Sequence, residues 1–143
     1  MDNCVFCKIL QGQAAGSVVY ENEDCVALMD IQPVNPGHIL VIPRVHSSCL
    51  SELAEDIGAK MFRIGMRMAG ALRKSGVKCE AVNFFLADGE AAGQDIFHVH
   101  LHVFPRFEGD GFGLKFGPHY NEKPSRASLD EVARKIRASI PTS

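Results

Sequence analysis

The stretch Ile96-Phe97-His98-Val99-His100-Leu101-His102-Val103-Phe104 places three of the chain's six histidines at alternate positions. Side chains alternate across a β-strand, so His98, His100 and His102 are predicted to share one face and the intervening aliphatic residues the other. Chance is a poor explanation for this concentration of an uncommon residue. Imidazoles are mostly neutral at pH 7, because their unperturbed pKa is about 6.5, so the face offers nucleophiles, bases or metal ligands.

The segments on either side of this stretch predict an antiparallel sheet. Four further strands are indicated by apolar runs, each of which has turn residues at its ends. With the histidine strand, the predicted set is Ser17 to Glu21, Cys25 to Asp30, His38 to Pro43, Ala81 to Ala87, and Ile96 to Arg106. The first two strands are expected to form a hairpin, because only the polar turn Asn22-Glu23-Asp24 separates them.

One long helix is predicted between the third and the fourth strand. From Ser51 to Gly76, apolar residues recur at helical spacing, with acidic residues in the first turn and basic residues in the last. Shorter helices are predicted over Cys4 to Leu10 and over Ser128 to Ser139. In the second of these, Ser128 stands three residues before Glu131, which is the spacing of a capping box.

This order of elements predicts an α+β fold, in which an antiparallel sheet of about five strands carries one long helix. A parallel sheet would need more crossover helices than the chain supplies. We expect residues 1–143 to form a single domain. Its motif-bearing core is predicted over residues 4–106, and a tail with a final helix over residues 107–143.

Composition narrows the classes of protein that the chain can belong to. It is 46% hydrophobic and 22% charged with a net charge of -2, so no broad basic surface favours nucleic acid or an anionic membrane. The N-terminal segment lacks the pattern of a signal peptide, and no apolar run is long enough to span a bilayer. We therefore expect a cytoplasmic protein whose five cysteines are reduced.

The residues around the histidine strand resemble the signature of the histidine triad, or HIT, family of nucleotide hydrolases and transferases. The pattern runs from Gly93 to Phe104, and Asp30-Ile31-Gln32-Pro33 and the segment from Pro36 to Pro43 match further motifs in the family's order. The resemblance extends from Cys4 to about Arg106. In character it is closest to bacterial members related to the Hint and Fhit branches.

The resemblance implies a covalent mechanism at the α-phosphate of nucleoside 5′-monophosphate derivatives, such as phosphoramidates or dinucleoside polyphosphates. His100 would attack the phosphorus and give a nucleotidyl-histidine, which water then resolves. His98 would orient the ring of His100 through its main-chain carbonyl, and His102 would donate to phosphate oxygens. His38 would complete the wall of the pocket.

The resemblance also implies how a purine nucleotide is held. Asp30 would bind the ribose hydroxyls through its carboxylate oxygens. Backbone amides near Gly93 and Gln94 would carry developing phosphate charge. An apolar slot for the base would consist of Phe6, Ile31 and Leu40, although simple core packing explains these three residues equally well.

Two positions depart from the family's pattern. Ala87 stands where the family commonly has Asn or Gln, and Asp95 stands where it commonly has Ser or Thr. A hydroxyl can donate a hydrogen bond to a leaving group, whereas an ionised carboxylate can only accept. We expect Asp95 to disfavour polyphosphate leaving groups and to tolerate an amine.

Cys4-Val5-Phe6-Cys7 has the C-x-x-C spacing that can place two thiolates on one tetrahedral metal. Some HIT members and the related galactose-1-phosphate uridylyltransferases hold a structural zinc. The resemblance to them implies the ligands Cys4, Cys7, His46 and His98. The alternative is a pair of reduced thiols beside an exposed His46. His119 is interpreted as an ordinary surface histidine.

Three functions remain open on the sequence. The first is the nucleotide hydrolase or transferase, and the second is a nucleotide-binding sensor or partner-binding module with little turnover. The third is a zinc enzyme that uses the three strand histidines directly as ligands, because a catalytic zinc site fits their spacing equally well. Resemblance further implies a homodimer in which the long helices and edge strands meet.

Overall fold

The computed structural model describes residues 3–142, in which three helices and five strands alternate with short 3-10 turns. The helices are α1 (Val5–Leu10), α2 (Glu55–Lys74) and α3 (Arg126–Ala138). The strands are β1 (Val18–Glu21), β2 (Cys25–Met29), β3 (Ile39–Pro43), β4 (Ala81–Phe85) and β5 (Leu101–Arg106). Two 3-10 turns cover Leu50–Glu52 and Glu90–Ala92. No helix among these residues is both long enough and apolar enough to cross a bilayer.

The five strands form one antiparallel sheet in the order β1-β2-β3-β5-β4. This confirms the predicted α+β fold with its antiparallel sheet of five strands. The last strand, β5, inserts between β3 and β4, so the histidine segment lies inside the sheet. His102 is paired with Leu40 on one side and Phe85 on the other.

Helices cover both faces of the sheet because its strands are apolar on both sides. On one face α2 buries Met61, Ile64, Met68 and Leu72 against a core that includes Val41, Val99, Leu101 and Val103. On the other face Phe6 of α1 packs in a second core with Val26, Leu28, Leu40 and Ile42. The second face is the one that carries the candidate site.

The histidine strand begins later than the sequence predicts. Regular pairing starts at Leu101 rather than at Ile96, so His98 and His100 precede β5. Pairing of β3 with β5 ends at Val41, and Pro43 at the end of β3 has no N–H to extend the ladder. The amide of Val99 donates instead to the carbonyl of Ser47 at 2.8 Å.

The alternation of faces nevertheless continues back through this irregular segment. Val99 is buried in the same core as Leu101 and Val103. The rings of His98 and His100 both lie against Phe6 on the opposite face, with centroid separations of 5.7 and 5.1 Å. The segment therefore presents its histidines as an extended chain would, without ladder hydrogen bonds to β3.

The contacts divide the chain into two compact units, Met1–Phe112 and Gly113–Ser143. Within the second unit α3 begins at Arg126, because Ser125 is its N-cap and accepts a hydrogen bond from the amide of Ser128 at 3.1 Å. The predicted capping box at Ser128 is therefore wrong by one turn. That residue lies inside the helix, where its side chain cannot cap.

Candidate active site and metal cluster

A cavity of about 430 Å³ opens on the α1 face of the sheet. Its walls come from α1, from the connection between β2 and β3, from β5 with its preceding segment, and from the loop that follows β5. The predicted site residues that line it are Phe6, Asp30, Ile31, His38, Leu40, Asp95, His100 and His102. Residues from distant parts of the sequence thus meet at the centre of the sheet.

His100 is oriented by the main chain two residues before it. Its Nδ1 donates to the carbonyl oxygen of His98 at 2.7 Å, so a neutral ring keeps its lone pair on Nε2. His100 is only 4% exposed. Every buried side-chain nitrogen or oxygen among residues 3–142 has a hydrogen-bond partner, and Nε2 of His100 has none, so this atom is not buried. Because His100 lines the cavity, Nε2 faces it. His100 therefore offers one free nucleophilic nitrogen there.

His38 and His102 form a hydrogen-bonded pair whose tautomers are set by a main-chain amide. The N–H of Val34 donates to Nδ1 of His38 at 2.9 Å, which places the proton of a neutral His38 on Nε2. That proton faces Nδ1 of His102 at 2.9 Å. His102 therefore carries its own proton on Nε2. The geometry makes this ring a neutral hydrogen-bond donor at a cavity wall.

Burial keeps this pair neutral at physiological pH. The pKa of His102 is lowered to about 4, chiefly by desolvation and also by the cationic forms of His100 and His38, while the carboxylates of Asp30 and Asp95 oppose this by raising it. Burial also lowers the pKa of His38, opposed by the Asp30 carboxylate 3.4 Å from its Nε2. Neither ring therefore depends on a positive charge to donate a hydrogen bond.

Asp30 and the apolar residues are placed differently within the cavity. Oδ1 of Asp30 accepts the amide of Gln32 at 2.8 Å, which fixes the carboxylate beside His38. Phe6 and Leu40 line the cavity while also packing in the second core. Ile31 is 100% exposed, so core packing does not explain it.

The structure does not bring Gly93 and Gln94 to the cavity. The amide of Gly93 donates to the carbonyl of Glu90 at 2.9 Å, and that of Gln94 to the carbonyl of Gly89 at 3.1 Å. The side chain of Gln94 is buried and donates to the carbonyl of Ser48 at 2.8 Å. These groups fold the loop before the histidine segment, and their amides have no hydrogen left for a phosphate.

The two positions that depart from the family's pattern also separate. Asp95 is exposed and lines the cavity, close enough to His102 to raise the pKa of that ring slightly. Ala87 is buried, and it does not line the cavity. Of the two substitutions, Asp95 is the one that changes the electrostatics at the site.

Three aromatic residues line the cavity that the sequence analysis missed, namely Phe85, Phe104 and Phe112. The ring of Phe104 lies 4.9 Å from that of His38 and 5.4 Å from that of Phe112. Alternation along β5 could have found Phe104, which is two residues after His102. No local signal points to Phe112.

The position of Phe112 depends on a buried carboxylate in the loop after β5. Asp110 accepts hydrogen bonds from Arg106 at 2.6 Å and from the side chain of Asn35 at 2.9 Å. The Arg106 guanidinium holds the pKa of this carboxyl far below its usual range. The same guanidinium lies over the ring of Phe112, 4.8 Å from its centroid, so the loop is held against the cavity.

A second cluster contains all four predicted metal ligands. Their ligand atoms lie within 4.8 Å of one another, and they belong to Cys4, Cys7, His46 and His98. Nδ1 of His98 is 3.4 Å from Sγ of Cys4 and 3.2 Å from Nδ1 of His46. Tetrahedral zinc, with bonds of about 2.3 Å to sulfur and about 2.0–2.1 Å to nitrogen, separates its ligands by about 3.3–3.8 Å. The donor set and its spacing fit zinc.

The surroundings of the cluster prepare His98 to be a ligand. Its Nε2 donates to the carbonyl of Pro43 at 2.8 Å, which leaves the lone pair on Nδ1 facing the cysteines. Burial lowers the pKa of His98 and raises that of the Cys7 thiol. A bound cation would compensate the charge of a deprotonated Cys7 in this buried position.

The three strand histidines do not converge on one metal position. The side chain of His98 points into the cysteine cluster, whereas His100 and His102 line the cavity. Asp30, His38 and His102 do place three ligand atoms close together. A metal there would need the lone pair of His38 Nε2, and that would move the proton to Nδ1, against the Val34 amide. The geometry is that of a hydrogen-bonded relay.

Sequence comparison places the chain among proteins with the same motifs. The pattern that defines the HIT domain matches residues 11–109. An uncharacterized HIT-like protein of Methanocaldococcus jannaschii is 38% identical over 134 residues, covering 94% of this chain and 98% of that protein. Adenylylsulfatase HINT3 of Arabidopsis thaliana is 36% identical over 109 residues, which are 76% of this chain and 55% of that protein.

Solved structures agree with the sequence matches. The crystal structure of a HIT family protein from Bacillus anthracis has a TM-score of 0.88 at 40% identity and covers 98% of this chain and 99% of its own. A zinc-bound histidine triad family protein from Mycobacterium smegmatis has a TM-score of 0.76 at 34% identity, and the match covers 97% of this chain and 99% of that protein's chain. Motifs, fold and relatives agree, and this chain belongs to the histidine triad (HIT) family.

Proposed function

We propose that this protein is a nucleotide hydrolase or transferase that cleaves nucleoside 5′-monophosphate derivatives at the α-phosphate, with His100 as the nucleophile. The observation that carries the proposal is the arrangement of His100 in the cavity. Nδ1 is held by the carbonyl of His98, and Nε2 is free beside a ring, His102, that donates hydrogen bonds.

The reaction would proceed in two displacements. Nε2 of His100 uses its lone pair to form a bond to the α-phosphorus while the bond to the leaving group breaks, and the leaving group keeps the electron pair; an amine leaving group also takes up a proton from water, so that it departs as the neutral amine. The imidazolium that results keeps its Nδ1 proton on the carbonyl of His98. Water then attacks the phosphorus, breaks the P–N bond, releases the nucleotide and loses a proton to solvent. His102 would donate to a phosphate oxygen throughout.

The cavity supports a nucleotide conjugate as the substrate. Asp30 would accept hydrogen bonds from the ribose hydroxyls, and Phe6, Ile31 and Leu40 would flank a purine base. The name of the Arabidopsis relative indicates cleavage of an adenylyl conjugate, which supports the same class of substrate here. The phosphate would be held by His102 and by water rather than by the amides of Gly93 and Gln94, which are already hydrogen-bonded.

We also propose that Cys4, Cys7, His46 and His98 hold one structural zinc ion. The zinc-bound relative from Mycobacterium smegmatis supports this, as does the spacing of the four ligand atoms. Bound there, the metal would brace α1 and fix the ring of His98, because four protein ligands leave no open position for chemistry.

The nucleophile is tested with an adenosine 5′-phosphoramidate as substrate. We expect His100→Ala to lower kcat/KM by about a thousandfold or more, because it removes the attacking atom. Wild type quenched during turnover should carry one adenylyl group by intact mass, and the variant should not. His119→Ala is the matched control, since that side chain is exposed and pairs with Glu122 of its own unit.

Circular dichroism must show that His100→Ala remains folded. A wild type that binds adenosine monophosphate but turns over none of the phosphoramidate would contradict the enzyme proposal. It would favour the alternative, a nucleotide-binding sensor or partner-binding module. Turnover that survives in His100→Ala would equally exclude this histidine as the nucleophile.

The zinc proposal predicts about one zinc per chain in protein purified without chelator, measured by atomic emission. Cys4→Ser and Cys7→Ser should each lower the bound zinc well below one per chain, because each removes a thiolate ligand. Cys49→Ser is the control, since Sγ of Cys49 contacts Oγ of Ser51 and lies outside the cluster. Wild type with zinc near zero would remove the proposal.

A further inference from the structure

A second cavity of about 390 Å³ adjoins the nucleotide cavity. The two cavities share Asp95 and Ile96, which therefore lie where the cavities meet. The second cavity is also lined by Ser48, Phe97 and Val5. Among the residues that the structure describes, the predicted site residues that line this cavity are Asp95 and the proposed metal ligands Cys4 and His46.

The lining of the two cavities, as the structure describes it, contains carboxylates but no lysine or arginine. Among the described residues, no lysine or arginine lines either cavity, whereas the carboxylates of Asp30 and Asp95 both do. Proteins normally hold polyphosphate chains with cationic side chains, metal ions or clusters of backbone amides. The amides of Gly93 and Gln94 in the preceding loop are already bonded. A strongly anionic leaving group would therefore meet the Asp95 carboxylate with no cationic lysine or arginine in the described lining to offset it.

Asp95 is placed to act on the leaving group rather than on the nucleoside. It follows the loop that ends at Gln94 and lies at the junction of the two cavities, close enough to His102 for its charge to be felt there. Asp30, the other carboxylate, lies on the opposite connection, between β2 and β3, and does not line the second cavity. No hydrogen bond or ion pair occupies the Asp95 side chain among residues 3–142.

The lining of the second cavity fits an organic group with a polar end. Val5, Ile96 and Phe97 offer apolar surface, and Ser48 offers a hydroxyl beside it. Such a surface packs against a methylene stem, as the stems of lysine side chains pack against apolar surface in proteins. The Asp95 carboxylate, where the two cavities meet, would then attract a protonated amine carried on that stem.

We propose that the second cavity is the leaving-group subsite, and that Asp95 is the specificity-determining residue, which selects leaving groups that carry a protonated amine. This inference rests on the proposed function, because it concerns what leaves when His100 attacks. It extends that function by naming the chemical class of the group that departs. Sulfate and polyphosphate leaving groups are predicted to be poor.

Three adenosine 5′-phosphoramidates test the proposal, made with pentylamine, 1,5-diaminopentane and 5-aminopentanoate. The leaving groups share one chain length and reactive nitrogen, and they end in a methyl group, an ammonium and a carboxylate. We expect kcat/KM to be about five- to tenfold higher for the ammonium substrate than for the methyl one, and lower by a similar factor for the carboxylate one. The range reflects a single ion pair near a solvated surface.

Variants separate the charge of Asp95 from other effects. In Asp95→Asn the ratio of kcat/KM between the ammonium and methyl substrates should fall towards one, and Asp95→Glu should restore it. Glu90→Gln is the matched control, because it removes one exposed carboxylate from the same loop without lining either cavity. The ratio in that variant should equal that of wild type.

The outcomes distinguish this inference from the proposed function beneath it. Equal kcat/KM for all three substrates in wild type, with an adenylyl-enzyme still trapped, would overturn the subsite and leave the nucleophile standing. A preference that persists in Asp95→Asn would also overturn it. If no substrate is turned over and no adenylyl-enzyme forms, the proposed function fails and this inference fails with it.

Discussion

The hydrogen bonds at single residues decide which ring does what in this site. His38 accepts from the Val34 amide, so its proton faces His102. His100 donates to the carbonyl of His98, so its lone pair faces the cavity. His102 is thus prepared as a hydrogen-bond donor and His100 as a nucleophile, although their side chains are chemically identical. Hydrogen bonds to main-chain groups make this distinction, and neither His100 nor His102 needs to be charged.

The lowered pKa of His102 predicts a pH dependence of stability. His100, His38, Asp30 and Asp95 face this ring, and burial outweighs the two carboxylates, so its pKa is about 4 in the folded protein. In the unfolded chain it is about 6.5. Between these values the unfolded state binds more protons, so the free energy of unfolding falls as pH decreases. The contribution is complete above pH 6.5 and is lost progressively towards pH 4.

Urea unfolding at pH 7.5 and at pH 5 measures this loss. We expect His102 to account for about 2 kcal/mol of the difference in wild type, a value set by the shift in its pKa. His102→Asn should reduce the difference by that amount. His119→Asn should leave it unchanged, since His119 is exposed and its Nδ1 pairs with the exposed Glu122. Equal differences in wild type and His102→Asn would contradict the assignment.

At the scale of elements, periodicity predicts the sheet well because burial dictates it. Alternation identifies the apolar face of β5, and the predicted core helix matches α2, although α2 begins at Glu55 rather than at Ser51. The predicted boundaries of elements are wrong where a neighbouring residue ends or starts the element at another position. Pro43 ends the β3–β5 ladder early, so Ile96 to His100 is not strand. Ser125 and Ser128 are both of a residue type that can cap a helix, and in the structure Ser125 is the N-cap of α3, one turn before Ser128.

The parts of the site that sequence reasoning missed depend on contacts distant in the chain. Whether the amides of Gly93 and Gln94 are free depends on how their loop closes. In the structure both amides donate to carbonyls at the 3-10 turn Glu90–Ala92, to those of Glu90 and Gly89 respectively. Phe112 reaches the cavity because Asp110 is bonded to Asn35, 75 residues earlier. Neither feature leaves a periodic or compositional signal, whereas a histidine at every second position does.

The packing of α2 on the sheet makes a prediction at two glycines of the same helix. At Gly65 an added Cβ would lie 2.9 Å from the ring of Phe84 and 3.1 Å from Leu101. At Gly70 nothing lies within 4 Å. Alanine is favoured over glycine inside a helix by about 1 kcal/mol. Gly70→Ala should therefore stabilise the protein by about that amount, whereas Gly65→Ala should destabilise it by about 1 kcal/mol through overpacking.

Urea unfolding of the two variants beside wild type checks this contrast. The two substitutions add the same methyl group to the same helix, so the difference between them isolates the approach of α2 to the sheet. A Gly65→Ala protein as stable as Gly70→Ala would show that Phe84 and Leu101 move away without cost. The helix would then be less tightly packed than these distances indicate.

At the scale of the molecule, the metal cluster and the active site are joined through two residues. The ring of His98 lies among the cluster ligands while its carbonyl orients His100. Phe6, between the two cysteines, contacts the rings of both His98 and His100. The proposed zinc would therefore influence the nucleophile by positioning the segment that carries it.

The surface of the first unit also predicts a homodimer. Within residues 3–142, β4 is an edge strand that pairs with β5 alone. Beside it, Phe62 and Met66 of α2 are 54% and 61% exposed, and Phe62 lies 5.2 Å from Phe84 of β4. A second copy of the chain that meets this edge would cover both the unpaired strand and the apolar flank of the helix. We expect the wild type to be a dimer at micromolar concentration.

Phe62→Glu should weaken this dimer by about a hundredfold or more, because it would bury a carboxylate in an apolar interface. Sedimentation velocity over a range of concentrations gives the dissociation constant. Arg63→Glu is the control, since Arg63 lies on the other flank of α2, beside the turn between β1 and β2. A wild type that is monomeric throughout, or equal effects of the two glutamates, would show that this edge is not the interface. A dimer that persists in Phe62→Glu would move the contact elsewhere on the chain.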